Sequence, residues 1–391
     1  MVVGYYVDDF STLLISGYFF SKFLKPMGFR LKDVFIPDIS KEVASESIRF
    51  GAGVMLFVLS YQGVGTVVSL IYTSFLPNYS SFIGVLSVLG PIMGLSETVN
   101  GIHVSNHRAA VSEAYFNDKK HYAAYILSNG FRTMSQITGM ITPLVLALGG
   151  EIVGIFFAEY TSTFSKIFVY VLIHRTIFQH SHLMNEVLIG TGHHKFNVLI
   201  TVIEQVVSLT MVIACIILKL GIFVLIIPGY FQTLIKQGIG WVYINRKIIN
   251  LRFNPWQFWI VPAISGFLYY LIIQGFHALF SFVFGATISS ITLLLLGIYL
   301  LPGPCYFFFL GMLGGYDEHT MTDLENAMEL SGPSKIIVKP WFRCTKAGAM
   351  ISGLHGRFPM FFKNVQKEIN ELMAMKKTVT GNMREETSAP R

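Results

Sequence analysis

Long apolar stretches alternate with short polar segments along most of this chain. Each stretch holds enough apolar residues to cross about 30 Å of hydrocarbon as a helix. The pattern predicts an all-α, polytopic membrane protein with about nine transmembrane helices and a polar tail. The predicted spans are Gly4–Leu24, Phe50–Leu76, Phe82–Val104, Tyr122–Leu148, Thr163–Ile189, Phe196–Leu218, Ile222–Ile244, Trp256–Phe280 and Ile288–Leu313.

The fourth span differs from the others because polar side chains lie in its first half. We expect the hydrophilic run Ser105–His121 to lead into this helix without a turn. At roughly 100° per residue, Asn129, Arg132 and Gln136 fall on one face of the helix. An arginine in hydrocarbon costs roughly 2.5–3.5 kcal/mol on insertion scales, so this face should line a bundle interior or a water-filled cavity.

Composition agrees with a membrane protein. Hydrophobic residues make up 53% of the chain and charged residues only 13%, against about 25% charged in a typical soluble domain. The formal charge of +7 does not indicate nucleic-acid binding, because most Lys and Arg residues lie in loops and in the tail. The three cysteines have neither pairing nor ligand spacing, so we predict no disulfide framework, no metal site and no cofactor.

Lys and Arg are concentrated in alternate loops and in the tail. This bias predicts a cytosolic C-terminus and, with nine spans, an external N-terminus. The first residues do not have the pattern of a cleavable signal peptide. An external start without a signal suggests that Met1 follows upstream spans which this sequence lacks. The predicted location is the cell membrane, with multiple crossings.

Polar faces also mark other spans. On span five, Arg175, Gln179, His182 and Glu186 recur at helical spacing. The candidates for substrate binding are Arg132, Arg175, Lys236, Gln136, Asn129, Gln179 and His182, and those for coupling or ion pairing are Glu97, Glu204 and Glu186.

Structural explanations stand beside these functional ones. Glu186 and Glu204 lie near the cytosolic boundary, where snorkelling or capping explains a carboxylate equally well. For Arg132 and Lys236 the alternative is a structural ion pair with Glu97 or Glu204. The chain has no glycine-rich phosphate loop and no nucleophile motif, and its histidines do not form a metal triad, so we do not predict an enzyme.

Three stretches carry a family resemblance: SIRFGAGVMLFVLSYQGVGTVVSLI, LSETVNGIHVSNHRAAVSEAYFNDKKHYAAYILSNGFR and MNEVLIGTGHHKFNVLITVIEQVVSLTMVI. They resemble the second lobe of O-antigen-type polysaccharide flippases, in the multidrug/oligosaccharidyl-lipid/polysaccharide exporter superfamily. The matching motifs are Arg49–Gly51, Ala110–Ala114 with Arg132, and Leu188–Lys195. The resemblance covers about Lys41 to Arg246.

The resemblance implies two six-helix lobes around a cavity that alternates between cytosolic and external access. A cationic lining would receive the phosphate of a lipid-linked sugar. This chain has only the last span of the first lobe, so half of the cavity wall is missing or comes from a separate polypeptide. The implied division is 1–24 as the last span of the first lobe, 25–48 as a cytosolic amphipathic linker, 49–245 as the second lobe, 246–315 as an extra helix pair and 316–391 as the tail.

The function implied is translocation of lipid-linked oligosaccharide or polysaccharide units for cell-surface glycan biosynthesis. The expected partners are that substrate, membrane lipid, the missing lobe or glycan-assembly proteins, and no nucleic acid. A multidrug antiporter of the same superfamily and an incomplete non-functional fragment remain alternatives. A membrane glycan polymerase would expose a large external loop, which the predicted spans do not leave.

The tail contains two amphipathic candidates. The first helix should be capped by Thr320 or Thr322 and stop at Gly332. The second runs from Phe361 to Met375. The basic, aromatic segments of the tail are PWFRCTKAGAM and GRFPMFFKNVQKEINELMAMKK, and the second of these contains the Phe361–Met375 helix. We expect such segments to lie at a cytosolic membrane surface, attracted by anionic lipid.

Overall fold

The computed structural model describes residues 2–27, 40–77, 79–178, 180–251, 253–360 and 364–388, and these form helices joined by short turns. No strand occurs within these ranges. The helices are α1 (Val2–Leu24), α2 (Lys41–Phe75), α3 (Tyr79–Phe116), α4 (Lys120–Phe156), α5 (Thr161–Phe178), α6 (His180–Gly190), α7 (His194–Ile217), α8 (Ile227–Tyr243), α9 (Val261–Phe284), α10 (Ala286–Tyr299), α11 (Gly303–Met312), α12 (Glu318–Glu329), α13 (Lys335–Ile351) and α14 (Val365–Ser388).

The all-helical prediction is confirmed over the described residues, and the length and composition of several helices suggest a membrane protein. In the described part of the chain, four helices are long and apolar enough to cross a bilayer: Lys120–Phe156, His194–Ile217, Gly221–Ile248 and Trp256–Phe284. The bent pair α10–α11 makes five if it counts as one span. The remaining predicted spans stay predictions.

The chain divides into two compact units, Met1–Met55 and Leu56–Arg391. In the smaller unit, α1 spans the predicted first crossing, and α2 begins at Lys41 and continues through the predicted boundary at Phe50. Residues 28–39 of the predicted linker lie outside the described ranges.

In the larger unit, α4 is the central helix. Its apolar side chains enter two buried clusters, one with Leu127 and Met134 and the other with Ile141 and Leu144. Most of its length is therefore surrounded by protein, which is why polar residues on it can be buried as well.

The predicted loop Ser105–His121 is wrong, since α3 continues as a helix to Phe116. A turn does separate α3 from α4, because Asp118 adopts a left-handed backbone with φ 57°. Asn and Asp tolerate this conformation better than most residues. The Lys119 amide then donates to the Ala114 carbonyl at 2.8 Å, which closes the end of α3.

Two further boundaries differ from prediction. The fourth predicted span ends at Leu148, whereas α4 continues to Phe156. The last predicted span is bent by 66° between α10 and α11. Pro302 lies at this break, where its ring and missing N–H interrupt a continuous helix.

The tail belongs to the larger unit and packs on its helices. The first tail helix, α12, is capped by Asp317 rather than by Thr320 or Thr322. Thr320 is the third helical residue and completes a capping box with Asp317. The second predicted tail helix is α14, which begins at Val365, and residues 361–363 lie outside the described part.

Candidate functional site

Arg132 is buried on α4, with 3% of its surface exposed. Its guanidinium donates to the Asn129 side-chain oxygen and, at 3.4 Å, to Gln257 Oε1. The guanidinium also lies 5.1 Å from the centre of the Tyr316 ring, within range of a cation–π contact. Arg132 Nε has no acceptor among the described residues.

Gln136 lies one turn farther along the same face. Its side-chain oxygen accepts from the Tyr316 hydroxyl at 2.6 Å, and its carbonyl accepts from the Tyr306 hydroxyl at 2.8 Å. Burial raises the pKa of Tyr316 to about 12, although Arg132 and the bond to Gln136 act in the opposite direction. Tyr316 is therefore a neutral donor at physiological pH and does not cancel the charge of Arg132.

The cluster consequently contains two unused donors. Gln136 Nε2, like Arg132 Nε, is buried and has no partner in the described part of the chain. The two residues are four apart on one helix, so their side chains lie on adjacent turns. A ligand with acceptor oxygens would complement both groups.

The tail lies over this cluster. We call residues Tyr316–Thr320 and Phe358–Met360 the tail cover. Asp317 joins its two parts, because Oδ1 accepts from the Thr320 amide at 2.8 Å and Oδ2 accepts from the Met360 amide at 2.6 Å. The Phe358 carbonyl accepts from the Gln257 side chain at 2.8 Å. Within the described residues, the polar face of α4 is thus covered by the tail.

Charged contacts hold α14 at the beginning of α4. The Tyr122 amide donates to Glu368 at 2.8 Å, and Lys119 pairs with Glu371 at 2.5 Å. The first amides of a helix lack internal acceptors, and the helix dipole favours a negative charge there. Lys119 lowers the pKa of Glu371 below its ordinary 4.5, through a hydrogen bond and its charge.

An apolar groove begins one turn beyond Gln136. It has a volume of about 380 Å³ and lies between α4, α5 and α9. Its polar side chains include Thr142 and Thr176, whose hydroxyls contact each other at 2.8 Å. The lining residues are Gly139, Thr142, Pro143, Leu146, Thr176, Pro262, Ala263, Gly266, Phe267 and Tyr270.

Glycines allow α4 and α9 to approach beside the groove. A Cβ atom on Gly266 would lie 2.6 Å from the Gly139 carbonyl, and one on Gly139 would lie 2.7 Å from the Tyr306 hydroxyl. Larger residues would therefore separate the two helices at the level where the groove adjoins the Arg132 cluster.

Lys236 belongs to a second polar cluster, between α7 and α8. Its ammonium group lies 2.5 Å from Glu204 Oε2, and both side chains are more than nine-tenths buried. Gln232 donates to the other carboxylate oxygen of Glu204 at 2.7 Å. This contact is the structural ion pair that the sequence left open as an alternative for Lys236.

The other predicted residues lie apart from these clusters. Glu186 pairs with Arg108 at 3.0 Å between α3 and α6. Arg175 and His182 are exposed. Gln179 and the side chain of Glu97 lie outside what the structure describes, so their predicted roles stay predictions.

The sequence did not identify Gln257, Tyr306, Tyr316 or Asp317 as parts of the site. Tyr316 and Asp317 follow two glycines at the start of the tail, a pattern that predicts only the start of a helix. A polar Gln at the beginning of an apolar span was the available signal for Gln257. Comparisons with protein-family models, curated proteins and solved structures found no match to this chain.

Proposed function

We propose that this protein is a membrane flippase that translocates lipid-linked oligosaccharide or polysaccharide units for cell-surface glycan biosynthesis. One observation carries the proposal. Two buried donors, Arg132 Nε and Gln136 Nε2, lack acceptors among the described residues and lie beside an apolar groove. A phosphate-linked lipid combines acceptor oxygens with a long apolar chain, so it matches both parts.

The energetics favour an anionic ligand at Arg132. A buried donor without a partner costs about 1–3 kcal/mol. Phosphate oxygens would satisfy the guanidinium in a charge-assisted geometry, which is roughly twice as strong as a neutral hydrogen bond. Asp317 and Asp323 interact electrostatically with Arg132 at longer range, and Asp317 already accepts from two tail amides. A phosphate would therefore bring a negative charge into direct contact that neither aspartate provides.

The tail cover must withdraw for such a ligand to reach Arg132. Tyr316 occupies the face of the guanidinium, and the Phe358 carbonyl holds Gln257 beside it. We therefore propose a cycle in which the tail cover opens toward the cytosol, the phosphate replaces Tyr316, and the lipid chain lies in the groove. The proposal includes nine spans, a cell-membrane location, a cytosolic C-terminus and no chemical conversion of the substrate.

A multidrug extruder is the second candidate. The groove volume of about 380 Å³ lies within the usual range for drug-sized ligands, roughly 300–1,000 Å³. A lipophilic drug cation would bind in the groove without using the donors of Arg132. The two candidates therefore differ in their dependence on Arg132.

Ligand binding to the purified chain tests the proposal. The probes are an isoprenyl diphosphate-linked disaccharide and the same isoprenol without phosphate. We expect the phosphorylated probe to bind at least about tenfold more tightly, because one charge-assisted bond contributes about 1.5–3 kcal/mol. Arg132→Ala should remove this preference, and Arg132→Lys should retain part of it because the bidentate fork is lost.

Lys195→Ala provides the matched control, since Lys195 is an exposed cation at the start of α7. It should bind both probes as the wild type does. Equal affinity of the wild type for the two probes would contradict the proposal. Binding of a lipophilic cation that is unchanged in Arg132→Ala would favour the multidrug function instead.

A further inference from the structure

We infer that α13 is an interfacial helix that binds anionic phospholipid head groups of the surrounding bilayer. Its sequence, KIIVKPWFRCTKAGAMI, carries four basic residues and no acidic residue. The apolar residues of its inner face pack on the helix bundle, whereas other apolar residues remain outside. Packing on the bundle does not explain the excess of basic residues or the apolar residues that remain exposed.

The packing of α13 places it against a predicted membrane segment. A Cβ atom on Gly348 would lie 2.0 Å from the Phe308 carbonyl, so the two backbones are in direct contact. Trp341 stacks on Phe307 with ring centres 5.2 Å apart, and its indole N–H donates to the Tyr299 carbonyl at 3.0 Å. Because Tyr299 ends α10 at the bend, α13 packs against both halves of the bent pair.

The outer face of α13 and the preceding turn expose large apolar side chains. Leu330 is 87% exposed, Ile336 83%, Met350 80% and Ile351 71%. Such a patch beside basic residues is typical of helices that lie in the plane of the bilayer surface. The exposed residues flank Arg343, which is itself exposed.

The charges select an anionic surface. Lys335 pairs with Glu329, and Lys346 lies 3.6 Å from Glu325. Lys339 and Arg343 are therefore the two basic side chains of α13 best placed for lipid head groups. The later tail helix, α14, is not a comparable lipid-binding candidate, because it carries carboxylates that contact the α3–α4 turn and the start of α4.

Lipid retention by the full-length protein tests the head-group contact. The protein is purified in mild detergent with equal amounts of phosphatidylglycerol and phosphatidylcholine of equal chain length, and bound lipids are counted by native mass spectrometry. Each basic residue near an anionic surface contributes about a fivefold preference for anionic lipid. The double variant Lys339→Gln with Arg343→Gln should therefore lower the ratio of bound phosphatidylglycerol to bound phosphatidylcholine by up to about 25-fold. Raising the salt concentration should lower the wild-type ratio as well.

The control is Arg357→Gln with Lys367→Gln, which removes the same charge from exposed tail positions outside α13. It should keep the wild-type ratio. An unchanged ratio in the α13 variant, or an equal loss in the control, would overturn the inference.

A depth measurement tests the membrane contact independently. In a Cys344→Ser background, a dye is attached at Ile336→Cys or at Ala327→Cys, which is exposed on α12. Brominated phosphatidylglycerol should quench the Ile336 dye more strongly. Equal quenching at both positions would indicate that Ile336 is exposed to solvent. Shielding of the Ile336 dye only at high protein concentration would indicate contact with a second copy of the chain. Either result would overturn the lipid-surface inference.

Discussion

Arg132 and Lys236 are both buried cations on long apolar helices, yet their surroundings differ. Lys236 touches the Glu204 carboxylate, and Gln232 satisfies the second oxygen of that carboxylate. Arg132 has only neutral groups in direct contact among the described side chains, namely two amides and the Tyr316 ring. One cation is compensated by its neighbour, and the other is compensated only by more distant aspartates.

This difference separates a structural charge from one that is suited to a ligand. In a buried ion pair each charge is compensated by its partner, and removal of one partner strongly destabilises the fold because the other charge stays buried. A buried cation without a contacting anion has free donors and favours the arrival of an anion. We therefore propose the head-group role for Arg132, whereas Lys236 forms an ion pair between α7 and α8.

The largest expected effect comes from breaking the ion pair. Lys236→Met should destabilise the protein by about 3–5 kcal/mol, because Glu204 is left charged and buried. The double variant Lys236→Met with Glu204→Leu should recover most of this loss, because no stranded charge remains. The measurement is the midpoint of unfolding in mixed micelles. A double variant as unstable as the single one would show that Lys236 acts through something other than Glu204.

A smaller effect is expected where the tail packs on the bundle. Gly348→Leu places side-chain atoms at a position where even a Cβ would lie 2.0 Å from the Phe308 carbonyl. Overpacking of this kind costs about 1–3 kcal/mol, so hydrogen exchange in α12 and the tail cover should accelerate. The neighbouring Ala347→Leu is the control, because Ala347 is exposed on the same helix. Equal exchange in the two variants would mean that this crossing does not hold the tail.

The smallest effect concerns pH at the start of α4. Lys119 lowers the pKa of Glu371 below 4.5, so this contact stabilises the docked α14 above that pH. The contribution is lost as the pH falls through the lowered value. Limited proteolysis of α14 should therefore accelerate in acid, and Lys119→Met should reduce the change between pH 7 and pH 3.5. An identical acid response in that variant would contradict the role of Lys119.

Periodicity was sufficient to predict the polar face of α4. Asn129, Arg132 and Gln136 share one bonded cluster because helical spacing fixes which residues are neighbours. The same reasoning found Lys236 and Glu204 and named their pairing as an alternative. These contacts could be predicted from the sequence because each lies within one helix or between two helices that follow each other in the chain.

The tail cover was not predictable in this way. Tyr316 contacts Gln136 across 180 positions of sequence, and no local pattern encodes so distant a contact. The cap at Asp317 shows the same limit, because its second carboxylate oxygen accepts from Met360. The sequence shows that Asp317 could cap a helix, but it contains no signal that the same side chain also accepts from a distant amide.

Binding of the isoprenyl diphosphate-linked disaccharide by two variants at matched folded amounts tests the central claim most directly. The variants are Arg132→Ala and the charge-neutral double variant Lys236→Met with Glu204→Leu. We predict that Arg132→Ala loses at least about tenfold in affinity, as expected for one charge-assisted contact, while the double variant binds as the wild type does. If Arg132→Ala binds normally, or if the double variant loses binding to the same extent, the division between a ligand cation and a structural cation is wrong.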